Sequence, residues 1–129
     1  MKTILVTDDE EGIVEILACL FEDKGYRVIK ACDGATAYET LLQDDVDLVI
    51  SDYMMPGLNG IELHSLITTN RKLQHIPFIL ISAFAAEVSN APVTAVFGKP
   101  FDIEKLATAV ERALSSIQDR STLEVTGPV

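Results

Sequence analysis

Asp47-Leu48-Val49-Ile50-Ser51-Asp52-Tyr53-Met54-Met55-Pro56-Gly57 carries a short apolar run into an acid and then into a turn. Consecutive apolar positions rich in Val and Ile read as a strand covered on both faces, and such strands belong to parallel sheets. The same pattern recurs elsewhere. Ile4-Leu5-Val6 leads into Asp8 and Asp9, Phe78-Ile79-Leu80-Ile81 into Ser82, and Val93 to Phe97 towards Lys99. Ligands of open α/β sheets bind in the crevice beyond the carboxyl ends of the strands, so these groups are expected to share one pocket. Three carboxylates beside an ammonium and a hydroxyl suit a hard cation together with a phosphoryl group.

Residues 3–7, 27–31, 47–51, 78–82 and 93–97 are accordingly read as strands, with amphipathic stretches between them. Helices are expected over residues 10–24, 34–43, 60–69 and 103–117. The first places Ile13, Ile16, Leu17, Leu20 and Phe21 on one stripe, and Gly25 closes it as the C′ residue. Asp33 is the expected N-cap of the second. Asn59, followed three positions on by Glu62, gives the third a capping-box pattern. Asp102 precedes the last, whose stripe is Ile103, Leu106, Ala107, Val110, Ala113, Leu114 and Ile117. Five alternating β-α units predict a parallel sheet sandwiched by helices. Beyond Ile117 the apolar period is lost and the chain ends in Thr-Gly-Pro-Val. Residues 1–117 are therefore expected to form the domain, and 118–129 a flexible tail or the start of a linker.

With 129 residues the chain can bury one core and has little left for a second. The acidic run Asp8-Asp9-Glu10-Glu11 interrupts any signal-like segment near Met1, and no apolar run approaches membrane-spanning length. A cytoplasmic protein without membrane insertion is expected. A formal charge of −10 argues against direct nucleic-acid binding, which needs basic side chains to neutralise phosphates, and favours a divalent cation. Cys19 and Cys32 lack any metal-ligand spacing and are expected as free thiols.

Three segments carry a family resemblance: Thr-Ile-Leu-Val-Thr-Asp-Asp-Glu at 3–10, Asp-Leu-Val-Ile-Ser-Asp-Tyr-Met-Met-Pro-Gly-Leu-Asn-Gly at 47–60, and Gly-Lys-Pro-Phe at 98–101. In this order they resemble the signature segments of the response-regulator receiver domains of two-component signal transduction. The resemblance covers about residues 1–117. It implies a flavodoxin-like, doubly wound, five-stranded sheet in strand order 2-1-3-4-5. It further implies phosphoryl transfer to Asp52 from a sensor histidine kinase or a histidine phosphotransfer protein, with a downstream protein target that the sequence does not name. Such a protein catalyses only its own phosphorylation and dephosphorylation, and is not an enzyme in the usual sense.

Position by position, the resemblance implies Asp52 as acceptor, Asp8 and Asp9 as the acidic pair holding Mg²⁺, with Asp9 the more direct ligand, and the backbone carbonyl of Met54 as a further ligand. Physical chemistry supports each role. Attack by a carboxylate brings a phosphoryl group to a site already holding three acids, and Mg²⁺ takes one or two carboxylates plus phosphate oxygens while retaining waters. Lys99 supplies a second positive charge to the phosphoryl oxygens and the Ser82 hydroxyl a hydrogen bond. The Lys99-Pro100 peptide is cis in the family.

Each residue also has a plainer reading. Asp8 or Asp9 can cap the first helix and Asp52 a turn; Ser82 alone is an ordinary strand-end hydroxyl, and Lys99 alone a solvated lysine. His64 and His75 are read as surface residues without chemistry, and Met54 and Met55 as packing residues. What separates this chain from the family pattern lies between Ser82 and Lys99. Only 17 positions part them and Pro92 falls inside, so the helix between the fourth and fifth strands is expected to be short, irregular or absent. Val96 stands where the family has a switch aromatic, and Phe97 should face the other way by strand alternation. Pro77-Phe78, Phe84 and the missing aromatic resemble a subgroup of stand-alone receivers, although Ala83 stands where that subgroup has glycine. Either a stand-alone regulator or a receiver within a longer chain fits. The competing function is a pseudo-receiver that binds proteins without being phosphorylated. Against a third class, a flavin-binding relative, stands Thr7-Asp8-Asp9-Glu10, which would repel a phosphate after the first strand.

Overall fold

A computed structural model describes the backbone of residues 1–126 and the side chains through Ser115. Five parallel strands, β1 (Thr3–Thr7), β2 (Arg27–Ala31), β3 (Leu48–Asp52), β4 (Phe78–Ser82) and β5 (Ala95–Gly98), form one sheet in the order β2-β1-β3-β4-β5. Four helices complete the fold: α1 (Glu11–Asp23), α2 (Gly34–Gln43), α3 (Gly60–Thr68) and α4 (Ile103–Thr126). This is the flavodoxin-like arrangement. Among the described residues no helix is long and apolar enough to cross a membrane.

Strand alternation divides the core in two. On one face Ile4, Val6, Leu48, Ile50, Ile79 and Ile81 pack with Val14, Leu17 and Phe21 of α1 and Leu106, Val110 and Leu114 of α4. On the other, Leu5, Val49 and Leu80 pack with Ala37 and Leu41 of α2 and Leu63 and Ile67 of α3. Val96 joins the second group and Phe97 the first, so the ring does face away from α3.

The helix starts follow the sequence closely. Asp33 accepts from the Thr36 amide at 2.7 Å, Asn59 and Glu62 form the reciprocal capping box, and Asp102 Oδ1 accepts from Glu104 and Lys105. Gly25 follows α1 with a φ of +94°, the left-handed C′ position its sequence suggested. The N-cap position of α1 is Glu10, and its side chain makes no cap. Instead Asp8 Oδ1 accepts from the Glu10 amide at 2.9 Å.

Several expectations need correction. The buried stripe of α1 is Val14, Leu17, Ala18 and Phe21, and Ile16 is exposed, because the helix is rotated so that the i, i+3, i+4, i+7 set beginning at Val14 meets the sheet. Ile103 of α4 is likewise exposed, as the residue that opens the helix beyond the sheet edge, while Leu106, Val110 and Leu114 carry the contact. β3 begins at Leu48, since the Asp47 carboxylate leaves the ladder to accept from the Thr3 amide at 2.8 Å. β5 begins at Ala95, because Thr94 uses its hydroxyl oxygen and its amide on the backbone of Phe78. Nor does α4 stop at Ile117: losing the apolar period removes a face to bury, not helix propensity, and no Gly or Pro interrupts the chain until Gly127. Residues 127–129 of the expected tail lie outside the described residues.

Between β4 and β5 no helix forms. Residues 83–94 run as successive turns, with the amides of Glu87, Val88 and Ala91 donating to carbonyls three residues back, and Val88 is buried against the α3 side of the core. The shortened connection expected from the spacing is thus reduced to turns.

Candidate functional site

All five pocket groups lie at the carboxyl edge of the sheet. Asp8 and Asp9 follow β1, Asp52 ends β3, Ser82 ends β4 and Lys99 follows β5. Register aligns them: Asp52 pairs with Ile81 and Ser82 with Gly98, so carboxylate, hydroxyl and lysine stand on adjoining strands. The end of β3 is fixed by α3, whose first residue Gly60 donates to the Tyr53 carbonyl at 2.7 Å. A Cβ on Gly60 would strike the Asp52 carbonyl and come within 2.7 Å of Leu80 Cδ1, so only glycine allows the helix so close. Gly57, at φ +75°, turns the loop that brings α3 back.

The three carboxylates each offer an oxygen within 4.8 Å of the others. Asp8 and Asp52 are buried and Asp9 is exposed. Lys99 Nζ lies 3.0 Å from Asp8 Oδ2 and 3.2 Å from Asp52 Oδ2. Burial and then the charge of Asp8 push the Asp52 carboxyl up to about 6, with Lys99 opposing them. Burial alone would lower the Lys99 ammonium, but its hydrogen bond to Asp8 and the charges of Asp8 and Asp52 outweigh that and hold it above its ordinary value. Ser82 Oγ accepts from the Phe84 amide at 2.8 Å, which leaves its O–H as a donor. The Lys99-Pro100 peptide is cis.

Two buried acids and an exposed third beside one ammonium are more negative charge than the site can neutralise by itself. An oxygen-only donor set with one carboxylate open to solvent fits a hydrated Mg²⁺ held by one or two acids.

Asp8, Asp9, Asp52 and Lys99 are therefore brought together as the sequence suggested, and Ser82 stands on the strand between Asp52 and Lys99. Met54 is about half exposed in the loop after β3, which corrects its reading as a packing residue. Met55 does pack: it is buried, with Thr7 Oγ1 3.6 Å from its sulfur. His64 is not a plain surface residue either. Its ring meets Phe78 edge-on with centroids 5.0 Å apart, and burial lowers its basicity; His75 is exposed. Cys19 and Cys32 are free and exposed. One participant was not foreseen. Glu10 Oε1 lies 3.6 Å from Lys99 Nζ, and only its place in the acidic run hinted at a role.

A doubly wound sheet with an acid cluster, a hydroxyl and a lysine at its carboxyl edge is the architecture of a signalling receiver domain. The chain matches the family model of the response regulator receiver domain over residues 4–111, and it belongs to that family. It is 45% identical over 82 residues to the response regulator GtcR of Aneurinibacillus migulanus, covering 64% of this chain but only 33% of that protein. Sporulation initiation phosphotransferase F of Bacillus subtilis is 31% identical over 120 residues, 88% of this chain and 94% of its own. The receiver domain of the Francisella response regulator 1452 superposes with a TM-score of 0.82 at 26% identity, over 91% of this chain and 99% of its own. Receiver domains are signalling modules of two-component systems that work with histidine kinases or phosphotransfer proteins; they are not enzymes in the usual sense.

Proposed function

We propose that this receiver takes a phosphoryl group on Asp52 from a phosphohistidine of a sensor kinase or phosphotransfer protein, in a Mg²⁺-dependent reaction, and passes the signal on through a conformational change. The observation that carries this reading is Lys99 Nζ lying between the buried oxygens of Asp8 and Asp52, with Asp9 open to solvent beside them. A non-phosphorylated binding module has no use for mutually repelling acids kept together.

An Asp52 oxygen attacks phosphorus as the P–N bond of the donor breaks, and the imidazole nitrogen leaves with the electron pair. The products are an aspartyl phosphate and the free histidine of the donor. With its carboxyl pushed up only to about 6, Asp52 is mostly ionised at neutral pH and able to attack. The Ser82 O–H and the Lys99 ammonium donate to the transferring oxygens, where charge is highest. Asp8, Asp9, Asp52 and the Met54 carbonyl would hold the Mg²⁺, which supplies positive charge to the phosphoryl oxygens. Residues 1–117 are taken as the receiver unit, and the cytoplasm, where nucleotide-fed kinases act, as its compartment.

Intact-mass spectrometry after incubation with Mg²⁺ and a small acyl phosphate tests the proposal. One phosphoryl group on the wild type and none on Asp52→Asn is the expected result. A modification that persists in Asp52→Asn would falsify the assignment.

A further inference from the structure

An ammonium has three protons to donate, and Lys99 Nζ has three acidic oxygens around it. Asp8 Oδ2 at 3.0 Å and Asp52 Oδ2 at 3.2 Å belong to side chains only 3% and 6% exposed. Glu10 Oε1, at 3.6 Å, belongs to one that is 65% exposed. All three anions lie within ion-pair distance of the ammonium, Asp8 hydrogen-bonded to it and Glu10 the most distant, so a phosphoryl oxygen approaching Lys99 competes with them. The costs are unequal. Releasing Asp8 strands a buried carboxylate, and Asp52 keeps its charge until its oxygen bonds to phosphorus, whereas a released Glu10 carboxylate is taken up by water. The backbone of Glu10 need not move, because its amide is held separately by Asp8 Oδ1 at 2.9 Å.

Resting on the receiver reading above, we infer that Glu10 is a positioning residue that acts through Lys99: its carboxylate is a placeholder anion beside the ammonium, and it gives way to a phosphoryl oxygen as that group approaches the still-ionised Asp52. Two consequences of opposite sign follow. Removing the charge frees one donor of Lys99 and removes an anion from the path of an anionic donor, so phosphorylation should quicken. The same change takes negative charge from the edge of the acid cluster, so Mg²⁺ should bind less tightly. An exposed ion pair is worth a fraction of a kcal/mol to about 1 kcal/mol, so each effect should be about two- to fivefold.

Glu10→Gln tests this, with Asp45→Asn, an exposed acid at the opposite edge of the sheet, as the control for net charge. Phosphorylation by a small acyl phosphate at saturating Mg²⁺ is followed by intact mass, and Mg²⁺ affinity by calorimetric titration. Glu10→Gln faster in the first and weaker in the second, with Asp45→Asn unchanged in both, is the expected result. Wild-type values in both assays would overturn the inference. So would a parallel loss in both, which marks a merely structural role, or the same pattern in Asp45→Asn, which marks a general charge effect. A wild-type protein that binds no Mg²⁺ and takes no phosphoryl group would overturn the receiver reading itself, and the inference with it.

Discussion

The Lys99 amide donates to the Ser82 carbonyl at 3.0 Å, which ties the pocket lysine to the pocket serine through the backbone. Since Ser82 pairs with Gly98 in the ladder, a shift of the β4 end is passed to Lys99 without any side-chain relay. The pocket is therefore rigid on its β4–β5 side and adjustable mainly at the loop after β3 and at residues 83–94.

Gly60→Ala should lower stability by about 1–3 kcal/mol, because the new methyl meets the Asp52 carbonyl and the Leu80 side chain in a packed core. Gly12→Ala in α1 has nothing within 4 Å and should be neutral or stabilising by roughly 0.5–1 kcal/mol. Urea unfolding of the two variants beside the wild type decides it. Equal effects would mean that α3 does not constrain the acceptor strand.

The pH dependence of the metal-free protein should carry the signature of Asp52. Its carboxyl is raised from 3.8 to about 6 in the fold, so the folded state holds the proton more tightly than the unfolded chain. The stability this contributes is fully present below 3.8 and is lost as pH rises through about 6, with a slope of at most about 1.4 kcal/mol per pH unit. Asp52→Asn lacks that loss and should be more stable than the wild type at pH 8 in chelator, by about 1 kcal/mol once solvent screening is allowed for. Only the difference between the two proteins is diagnostic, since other carboxylates titrate in both. An Asp52→Asn protein that melts at or below the wild-type temperature at pH 8 would contradict it.

Adding Mg²⁺ at a hundredfold excess over its dissociation constant should stabilise the wild type by about 2.7 kcal/mol. At the same Mg²⁺ concentration Asp9→Ala should lose most of that gain. Asp8→Ala should keep more of it, yet be less stable without metal, because Lys99 and the Glu10 amide lose the carboxylate they share. Thermal melts with and without chelator separate the two cases. Identical Mg²⁺ gains in all three proteins would remove the acid cluster as the metal site.

The phosphorylated state should be long-lived. Met54 and Phe84 each stand two residues beyond a pocket group, Asp52 and Ser82, and both are half-exposed apolar side chains. Neither can orient a water by hydrogen bonding, and both can screen the phosphorus. Replacement by polar groups, Met54→Asn or Phe84→Lys, should speed the decay of the phosphorylated protein, followed by mass. Rapid decay in the wild type that neither change accelerates would sink the shielding idea. With Val96 half-buried on the α3 side in place of a switch ring, the response should appear as slower amide exchange across residues 83–92, and unchanged exchange with a phosphoryl mimic would refute that.

The five strands and the pocket were legible because both are written in local pattern: apolar runs that end in Asp8, Asp52 and Ser82, and caps at Asp33, Asn59 and Asp102; the order of the strands came only with the family resemblance. What escaped depends on how elements meet. Ile13, Ile16 and Leu20 make as good a stripe on α1 as Val14, Leu17 and Ala18, and only the docking angle against the sheet chooses between them. His64 acquires its contact with Phe78 because α3 lies over β4, a relation no local pattern encodes. The Lys99 partners are of the same kind. A lysine 91 residues from Asp8 was legible as a pocket group, but its resting ion pairs with Asp8 and Glu10 are products of tertiary proximity.

The turns that replace a helix between β4 and β5 have a further consequence, for how the gene can change. Twelve residues, 83–94, are about the fewest that can carry a chain from the end of one parallel strand to the start of its neighbour. Deletions there have no slack to consume and should pull Thr94 from Phe78 or Val88 from the core. Insertions meet the opposite arithmetic, since doubling a loop costs only about 0.6 kcal/mol in closure entropy. This crossover is thus a one-way site for length variation, closed to shortening and open to added sequence beside the acid pocket.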